Sequence, residues 1–490
     1  MKKTLVCLLL VSLLSFNLLA SAEEPVRLKG LVESGVLADD PGTGPCYQDI
    51  VDLTGYELDF EVYDPDQKDI KINMALASGE DYDMIRGASL TQLFTFIENG
   101  ALAPLNDAID KYAPELKNAF SEDVWKAFTM DDGNIYCIPS TSMPRLWNGM
   151  VIREDWLDAV GMDMPRTTDD LLNFMRAVKE QDPGKVGADR VVPFSTSLFS
   201  GGAIDDDPLL SAFGITYPWC ERDGKLVNRI ELPEYREWLA YYRTMYEEGL
   251  LDKDIAINKN STLMEKVNKG IVAVARYPWN LTYQTRDAWA AEHPDWKISY
   301  MSNPVGPDGE QGIKIENGLG FRFIVPASSK HVDDVVKYAN EFVKNYENLM
   351  IGTEGVTYEV VDGIRKPILP TFNELRGDTF WYQPVSIGDV EYPLWLMRVY
   401  KLESMGQAYS DLMTANENLQ KINPIANALN LPVTNTNAAS LQDLELTYVL
   451  KIIVGELPLD AVDTLIDEWN AKGGAASTEE INAWYASANK

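Results

Sequence analysis

YELDFEVYDPDQKDIKINMALASGEDYDMI, from Tyr56 to Ile85, is the stretch of sequence that decides the fold. Its opening residues alternate apolar and polar side chains, which is the period of a half-buried strand. Residues 70–77 then predict a helix that ends at Ser78–Gly79, and Asp83–Ile85 predicts a short strand that leads into a loop. A strand, a helix and a second strand in this order indicate an α/β sheet.

The flanking segments continue the alternation. Val26–Val32 predicts a strand before this stretch, and Leu90–Asn99 predicts a helix after it, capped by Gly100. Further along, Ile271–Ala275 and Phe321–Val325 are continuous apolar runs, which suit buried strands better than surface strands. No repeat and no long linker interrupts the pattern, so we expect domains that exchange strands rather than follow one another.

Two amphipathic helices are clear from the apolar periodicity. Thr168 is expected to cap a helix that ends at Asp182–Pro183. Ser329 is expected to cap a second helix, whose apolar stripe runs from Val332 to Tyr346 and faces a core.

The N-terminal residues 1–22 predict export. Lys2 and Lys3 precede an apolar run from Leu5 to Leu19, and small residues end the segment at Ala22. We therefore predict a signal peptide cleaved after Ala22, with a retained membrane anchor as the alternative. Cys7 follows Val6 and lies too early for lipid attachment, so a freely diffusing periplasmic or secreted protein is expected.

Composition bounds the function. The 490-residue chain carries a formal net charge of −32, so it repels nucleic acid and anionic membrane surfaces. The length calls for more than one core, so two domains are expected. A monomer that binds no nucleic acid is the simplest expectation.

Cysteines and histidines are sparse. We expect Cys46, Cys137 and Cys220 to be buried thiols, with a Cys46–Cys137 disulfide as the alternative. With only His293 and His331, a histidine-rich metal site or a histidine-centred catalytic triad is not indicated.

Several short motifs occur together in a fixed order along most of the chain. They are Leu76–Gly79 with Tyr82–Ile85, Asp131–Tyr136 with Ile138–Pro139, Ile152–Leu157 with Pro165–Thr167, Tyr246–Asp252, Lys269–Gly270 with Tyr277–Trp279, and Gly352–Gly355 with Tyr358. Each is weak alone. In combination the chain resembles the extracellular solute-binding proteins of family 1, within it the LipO-like branch related to alginate-binding receptors.

The resemblance implies a two-lobed α/β fold of the type II periplasmic-binding-protein kind, with a hinge between the lobes and a ligand cleft at their interface. It also implies delivery of the ligand to an ABC importer in the membrane. The chain is expected to cross between lobes near Pro139–Trp147 and again near Asn303–Gly306. The predicted lobe 1 comprises 26–142 and 304–360, and the predicted lobe 2 comprises 143–303 and 361–490.

One feature of the resembled family is altered here. Relatives often carry a calcium loop where this chain has Asp182–Pro193. Calcium needs six to eight oxygen ligands, and only Asp182 and Asp189 remain beside Lys185 and Arg190. We predict that this loop binds no calcium and that the protein uses no cofactor.

Two other carboxylate groups, Asp205–Asp207 and Asp64 with Asp66, lack the full spacing of a calcium loop and are interpreted as solvated loops. Arg153, Asp155 and Trp156 are interpreted as structural.

The ligand-binding residues are expected to combine aromatic rings with polar side chains, because sugars present apolar faces and hydroxyl rims. Trp279 is the best candidate, since the resembled family places a stacking tryptophan after this strand. The other candidates are Tyr277, Asn280, Trp147, Arg145, Arg86, Ser89, Glu354, Trp381, Tyr382 and Trp395. For the last three, packing in a core is an equal alternative.

The function favoured by these observations is capture of a carbohydrate, expected to be an oligosaccharide, for an ABC importer. A receptor of the same fold for peptides or another solute is the alternative. An exported glycosidase with two catalytic carboxylates is less favoured, because no catalytic signature occurs. Whether the ligand is neutral or acidic stays open.

Overall fold

The computed structural model describes residues 25–33, 42–64, 67–187, 189–199, 204–315, 318–361 and 363–488. The predicted signal peptide lies outside the described residues, as does Asp66. Within the described ranges, no helix is long and apolar enough to cross a membrane.

The strands are short and are distributed along most of the chain. They are β1 Val26–Glu33, β2 Tyr56–Tyr63, β3 Met84–Arg86, β4 Cys137–Thr141, β5 Asn148–Arg153, β6 Val192–Ser195, β7 Trp219–Arg222, β8 Lys225–Asn228, β9 Val272–Pro278, β10 Ile298–Met301, β11 Ile313–Lys314, β12 Leu319–Ile324, β13 Tyr358–Val361, β14 Ile364–Pro367 and β15 Gln420–Lys421.

Helices cover the faces of the sheets. They are α1 Gly44–Thr54, α2 Lys68–Ser78, α3 Leu90–Glu98, α4 Asn106–Tyr112, α5 Pro114–Asn118, α6 Glu122–Phe128, α7 Glu154–Val160, α8 Thr168–Gln181, α9 Pro233–Glu247, α10 Asn260–Asn268, α11 Trp279–Glu292, α12 Val332–Lys344, α13 Tyr346–Ile351, α14 Thr371–Arg376, α15 Thr379–Tyr382, α16 Gly388–Val399, α17 Glu403–Ala415, α18 Pro432–Ile453, α19 Ala461–Trp469 and α20 Ala475–Ala488.

The first sheet has five strands in the order β2-β1-β3-β12-β4. Strands β1, β2 and β3 run parallel, and β12 is antiparallel to both of its neighbours. Helices pack on both faces, since Met84 belongs to one core and its neighbour Ile85 to the other. The predicted strands and helix from Tyr56 to Ile85 are therefore confirmed.

The second sheet has four strands in the order β10-β5-β9-β6. Strand β9 lies inside this sheet, antiparallel to β5 and parallel to β6, so the apolar run from Ile271 forms a buried strand as predicted. The largest core packs against this sheet and joins α8, α9 and the C-terminal helices α18 and α19. The molecule is thus a mixed α/β protein with two sheets.

The helix caps differ from the predictions. Thr167, not Thr168, caps α8, because its hydroxyl accepts the Asp170 N–H in a capping box. Ser329 does not cap α12, since its hydroxyl donates to the Asp83 carboxylate and accepts the His331 N–H. Both helices lie close to their predicted positions.

The chain passes from the first sheet to the second between β4 and β5, and the crossing between lobes near Pro139–Trp147 stays a prediction. The return comes later than predicted. Val305 forms backbone hydrogen bonds with Arg166 and Thr168, and Ile315 still packs in a core of the second sheet. Strand β12, which begins at Leu319, belongs to the first sheet.

The segment after residue 361 also packs differently from the predicted lobe border. Phe372, Tyr382 and Leu394 belong to the core of the first sheet, whereas Trp395 and Tyr409 belong to a core of the second sheet. Helix α16 thus contacts both lobes. The packing favours assigning residues 371–394 to lobe 1, and the division of the chain between lobes stays a proposal.

The three cysteines of the described chain are free and buried, as the interpretation of three buried thiols predicts. Cys46 and Cys137 pack on opposite faces of the first sheet, so the alternative disulfide between them is not formed. Burial raises the pKa of the Cys46 and Cys220 thiols, which keeps them protonated and unreactive.

Candidate functional site

A cavity of about 260 Å³ lies at the edge of the second sheet where β9 ends and β5 begins. Trp147 follows the first crossing and Lys314 precedes the second, so the cavity lies beside both connections between the lobes. Its lining residues are Trp147, Asn148, Gly149, Asp205, Asp206, Asp207, Pro208, Ser211, Thr216, Arg276, Ile313 and Lys314. Crevices at the carboxyl ends of strands are where ligands bind in open α/β sheets.

Asp206 is the centre of an ion-pair group in the cavity wall. Its carboxylate accepts hydrogen bonds from Arg276 Nη2 at 2.9 Å and from Lys314 Nζ at 2.8 Å. Arg276 Nε also donates to the Asp206 carbonyl oxygen at 3.1 Å. Asp206 and Lys314 each keep about a third of their side chains exposed, so these polar groups remain open to a ligand.

Asp207 lies behind Asp206 and is almost fully buried. Its carboxylate accepts hydrogen bonds from Trp238 Nε1 at 2.8 Å and from the Leu209 N–H at 3.0 Å. Burial raises the pKa of Asp207 from 3.8 to about 6, against the lowering effect of these donors and of the Arg276 charge. The interpretation of Asp205–Asp207 as a solvated loop is therefore wrong for Asp207, which the core desolvates.

Asp205 connects the cavity wall to the C-terminal helices. Arg229 Nη1 lies 2.5 Å from the Asp205 carboxylate, and the same guanidinium donates to both carboxylate oxygens of Glu445 on α18 at 2.8 and 2.9 Å. Tyr235 also donates to Glu445. Arg229 is buried, and the two carboxylates raise the pKa of its guanidinium against the effect of burial.

Aromatic rings back the cavity. Trp147, Trp279 and Trp395 pack edge to face, with ring centroids 5.6 Å apart in both the Trp147–Trp279 and the Trp279–Trp395 pairs. The Arg145 guanidinium lies 4.9 Å from the Trp147 ring centroid and 5.0 Å from that of Trp395. Tyr409 completes the cluster beside Trp279. The structure thus brings four sequence-predicted candidates together.

Trp279, the best candidate from the sequence, lies behind the cavity wall. Its side chain is 3% exposed, and neighbouring rings surround it. Trp147 is half-buried and lines the cavity, so it is the ring available to a ligand in this conformation. The main-chain N–H of Trp279 donates to the Trp147 carbonyl oxygen, which holds the two residues side by side.

Trp279 and its neighbours differ in whether their polar side-chain atoms have hydrogen-bond partners. Tyr277 is fully buried in β9, and its hydroxyl shares a hydrogen bond with Thr285, so its position is that of a core residue. Asn280 Oδ1 and Trp279 Nε1 are buried and have no hydrogen-bond partner in the described residues. Buried polar atoms without partners are uncommon in folded proteins.

Arg86 and Trp381 form a separate group in the first lobe. Arg86 ends β3, and its Nη1 donates to the carbonyl oxygens of Phe380 and Trp381 at 3.0 and 3.1 Å. The guanidinium lies 5.1 Å from the Trp381 ring centroid. Burial and the nearby Arg322 lower the pKa of Arg86 to about 10. Neither Arg86 nor Trp381 lines the cavity described above.

Three further candidates occupy positions with local structural roles. Ser89 caps α3 in a reciprocal capping box with Gln92. Tyr382 is buried in the first core, where its ring stacks on Phe60. Glu354 is exposed in the turn before β13. These contacts assign Ser89 and Tyr382 to the scaffold.

The sequence prediction missed the charged residues of the cavity wall. Asp206 and Lys314 lie in separate loop and strand segments that only the fold brings together. Arg276 carried a signal, because it is a charged residue at the end of the apolar run that forms β9. A charge in a buried strand needs a partner, so its position pointed to a site at that edge of the sheet.

The altered calcium loop is held by its own backbone. The Asp182 carboxylate accepts the N–H groups of Val186 and Gly187 at 3.0 and 2.8 Å. The absence of calcium binding at this loop stays a prediction.

Arg153, Asp155 and Trp156 are structural, as the sequence interpretation predicts. Arg153 is 1% exposed and donates to both carboxylate oxygens of Asp155 and to the Gly270 carbonyl oxygen. The Trp156 ring covers its guanidinium, with Trp289 and Trp296 on its other sides.

The sequence profile of the bacterial extracellular solute-binding protein family matches residues 52–348, which is more than half of the chain. The chain therefore belongs to this family, whose members are binding proteins outside the cytoplasm, and the expectation from the sequence motifs is confirmed.

Two curated relatives illustrate the similarity. The fructooligosaccharide ABC transporter substrate-binding protein FusA of Streptococcus pneumoniae is 29% identical over 64% of this chain and 61% of its own length. The match thus spans less than two thirds of that relative. Lipoprotein LipO of Bacillus subtilis is 25% identical over 90% of this chain and 89% of its own length.

Among solved structures, the alginate-binding protein AlgQ2 without calcium ion superimposes with a TM-score of 0.71, covering 95% of this chain and 98% of that one at 18% identity. At this identity the likeness shows the fold alone. It confirms the predicted two-lobed type II architecture.

Proposed function

We propose that this protein captures an oligosaccharide in the cavity beside the two lobe connections and delivers it to an ABC importer. The observation that carries the proposal is the combination of the half-buried Trp147 ring with the Asp206–Arg276–Lys314 group in one cavity wall. The relative FusA, a fructooligosaccharide substrate-binding protein, supports the carbohydrate class.

The chemistry of the wall suits a sugar. An indole ring packs against the apolar C–H face of a pyranose or furanose, and Trp147 offers such a ring beside solvent. The Asp206 carboxylate accepts hydrogen bonds from hydroxyl groups, and Arg276 and Lys314 donate to them. Because these groups are already paired, they are held in place before a ligand arrives, which reduces the entropy lost on binding.

The fold supplies a means of enclosure. The chain crosses between the two sheets beside Trp147 and again after Ile315, so rotation about these connections brings the first lobe over the cavity. We expect Arg86 and Trp381, at the carboxyl edge of the first sheet, to supply contacts from that side.

We further propose that the protein acts without catalysis, as a monomer in the periplasm or outside the cell. Among the described residues of the cavity, Asp205 pairs with Arg229, Asp206 is held by two cations and Asp207 is buried, which argues against the two accessible carboxylates of a glycosidase. Incubation of the protein with the bound oligosaccharide, followed by chromatography of the products, tests this point, and release of shorter sugars contradicts it.

Thermal unfolding against a library of oligosaccharides and short peptides tests the proposed function. A ligand that binds only the native state stabilises it by about 2.7 kcal/mol at a hundred times its dissociation constant. We expect a shift with at least one glycan class and loss of that shift in Trp147→Ala. A shift with peptides alone would retain the fold and reject carbohydrate capture.

A further inference from the structure

We infer that the cavity selects a neutral oligosaccharide and disfavours uronate sugars, and that Asp206 sets this preference by neutralising Arg276 and Lys314. The inference rests on the proposed function and adds the charge class of the ligand. The relatives leave the question open, because fructooligosaccharides are neutral whereas alginate is a polymer of uronates.

The charges of the cavity wall carry the inference. Asp205, Asp206 and Asp207 face two lining cations, Arg276 and Lys314. Both cations bind the same carboxylate, at 2.9 and 2.8 Å. The wall therefore has no excess of positive charge to offer an anionic ligand.

The groups behind the wall do not change this balance. Arg229 is shared between Asp205 and Glu445, at 2.5 and 2.8 Å. Arg145 does not line the cavity, and its half-buried guanidinium packs against the Trp147 and Trp395 rings.

Two arginines of the first lobe lie outside the cavity, and Arg322 Nε has no hydrogen-bond partner among the described residues. Arg322 Nη2 lies 3.6 Å from the buried Glu391 carboxylate, and Arg86 donates to two backbone carbonyl oxygens. Neither of these arginines lines the cavity. Recognition of a uronate at the cavity wall itself would thus depend on Arg276 and Lys314, which Asp206 already holds.

A carboxylate and a hydroxyl have opposite effects at this wall. A sugar hydroxyl can donate to Asp206 and accept from Lys314 without breaking their ion pair. A uronate carboxylate must either displace Asp206 from a cation or lie close to three aspartates, and like charges brought together in this way are strongly unfavourable. The net charge of −32 adds repulsion at longer range.

The experiment compares matched neutral and acidic ligands by isothermal titration calorimetry with the mature protein. The neutral set comprises fructo-, malto-, cello-, galacto- and manno-oligosaccharides of three to four residues. The acidic set comprises oligogalacturonates, oligomannuronates and oligoguluronates of the same lengths. We expect the dissociation constant of the tightest neutral ligand to be lower than that of any uronate by a factor of about ten or more.

The outcomes separate this inference from the proposed function. Equal or tighter binding of a uronate overturns the inference and leaves carbohydrate capture standing. Binding of no sugar in either set overturns the proposed function and, with it, the inference.

Asp206→Asn sharpens the test, because it frees two cations in the wall. We expect the ratio of the uronate to the neutral dissociation constant to fall about tenfold. Asp163→Asn is the matched control, since it removes one negative charge at an exposed site outside the cavity and should leave the ratio unchanged. An unchanged ratio in folded Asp206→Asn overturns the role of Asp206.

A second variant covers the case in which Asp206→Asn does not fold. Lys314→Gln removes a half-exposed cation from the wall and should raise the same ratio, because Asp206 is then less neutralised. A fall in the ratio for Lys314→Gln would show that Lys314 recognises the uronate carboxylate, against the inference.

Discussion

Two groups around arginine in the second lobe are built from the same residue types and differ in one respect. Arg153 is enclosed by Asp155 and by three tryptophan rings, and its side chain is 1% exposed. Arg276 is also buried, but its partner Asp206 and the neighbouring Lys314 each keep about a third of their side chains exposed beside a cavity. The comparison teaches that an arginine, a carboxylate and an indole ring can fill a core or line a cavity, depending on which of them the fold leaves uncovered.

The largest loss of stability is expected from replacing Arg153, the arginine that is fully enclosed. Arg153→Ala leaves Asp155 without its partner and removes the packing of three rings, so the free energy of unfolding should fall by about 3–5 kcal/mol. Urea unfolding followed by circular dichroism measures it. Arg27→Ala, which removes an exposed ion pair with Glu57, is the control and should change stability by less than about 0.5 kcal/mol. A loss of ligand binding in folded Arg153→Ala with full stability would contradict the structural role.

The second prediction concerns Asp207, the buried carboxylate behind the cavity wall. The pKa of Asp207 is raised to about 6 in the folded protein, so between about pH 4 and 6 the folded state binds more protons than the unfolded state. The free energy of unfolding should therefore fall as the pH rises through this interval. In the wild type this fall should amount to about 3 kcal/mol, which corresponds to a pKa difference of about two between the folded and unfolded states. Asp207→Asn should abolish it.

Urea unfolding of the wild type and Asp207→Asn from pH 4 to 7 measures the difference. Asp163→Asn, at an exposed site, serves as the control and should follow the wild type at every pH. Parallel curves for Asp207→Asn and the wild type would reject a buried carboxylate in the cavity wall.

The third prediction removes the accessible ring. Trp147→Ala should weaken oligosaccharide binding by about 2 kcal/mol, or about thirtyfold, since a central aromatic residue commonly dominates binding energy. Calorimetry with the best ligand of the thermal screen measures it. Trp125→Ala changes a half-buried tryptophan of the first lobe that packs against Phe120, and it should retain full affinity. Equal losses in both variants would place the effect in stability rather than in contact with the ligand.

The smallest effect is expected at the open ion pair. Lys314→Gln removes one partner of Asp206, but both side chains are about one third exposed, so the free energy of unfolding should change by less than about 0.5 kcal/mol. Urea unfolding of Lys314→Gln and Arg153→Ala under the same conditions compares the two losses of stability. A loss comparable to that of Arg153→Ala would show that the cavity wall is as closed as the Arg153 group.

Much of the fold could be predicted from the sequence because its signals are local. The alternation in Tyr56–Tyr63 and the apolar run from Ile271 each fixed a strand without reference to the rest of the chain. Errors arose where a local signal met a tertiary contact. Ser329 has the chemistry of a helix cap, yet its hydroxyl binds Asp83, which is 246 positions away in the chain.

The candidate site was predicted in part for the same reason. Trp147, Arg145, Trp279 and Trp395 were identified from residue type and position, and the structure brings them together. Which of these rings is buried and which lines the cavity could not be predicted, because burial depends on which ring the neighbouring helices cover. The partners of Arg276 were missed, because the ion pair joins segments 70 positions apart.

The sequence by itself determined the class of the protein: an α/β chain with the ordered motifs of extracellular solute-binding proteins and the aromatic residues that suit a sugar. Those properties depend on neighbours along the chain, which the sequence displays directly. Only the tertiary structure decided that Trp147 rather than Trp279 lines the cavity and that one aspartate neutralises two cations. Burial and charge pairing are properties of surfaces that come together from distant segments, so they exist only once the chain has folded.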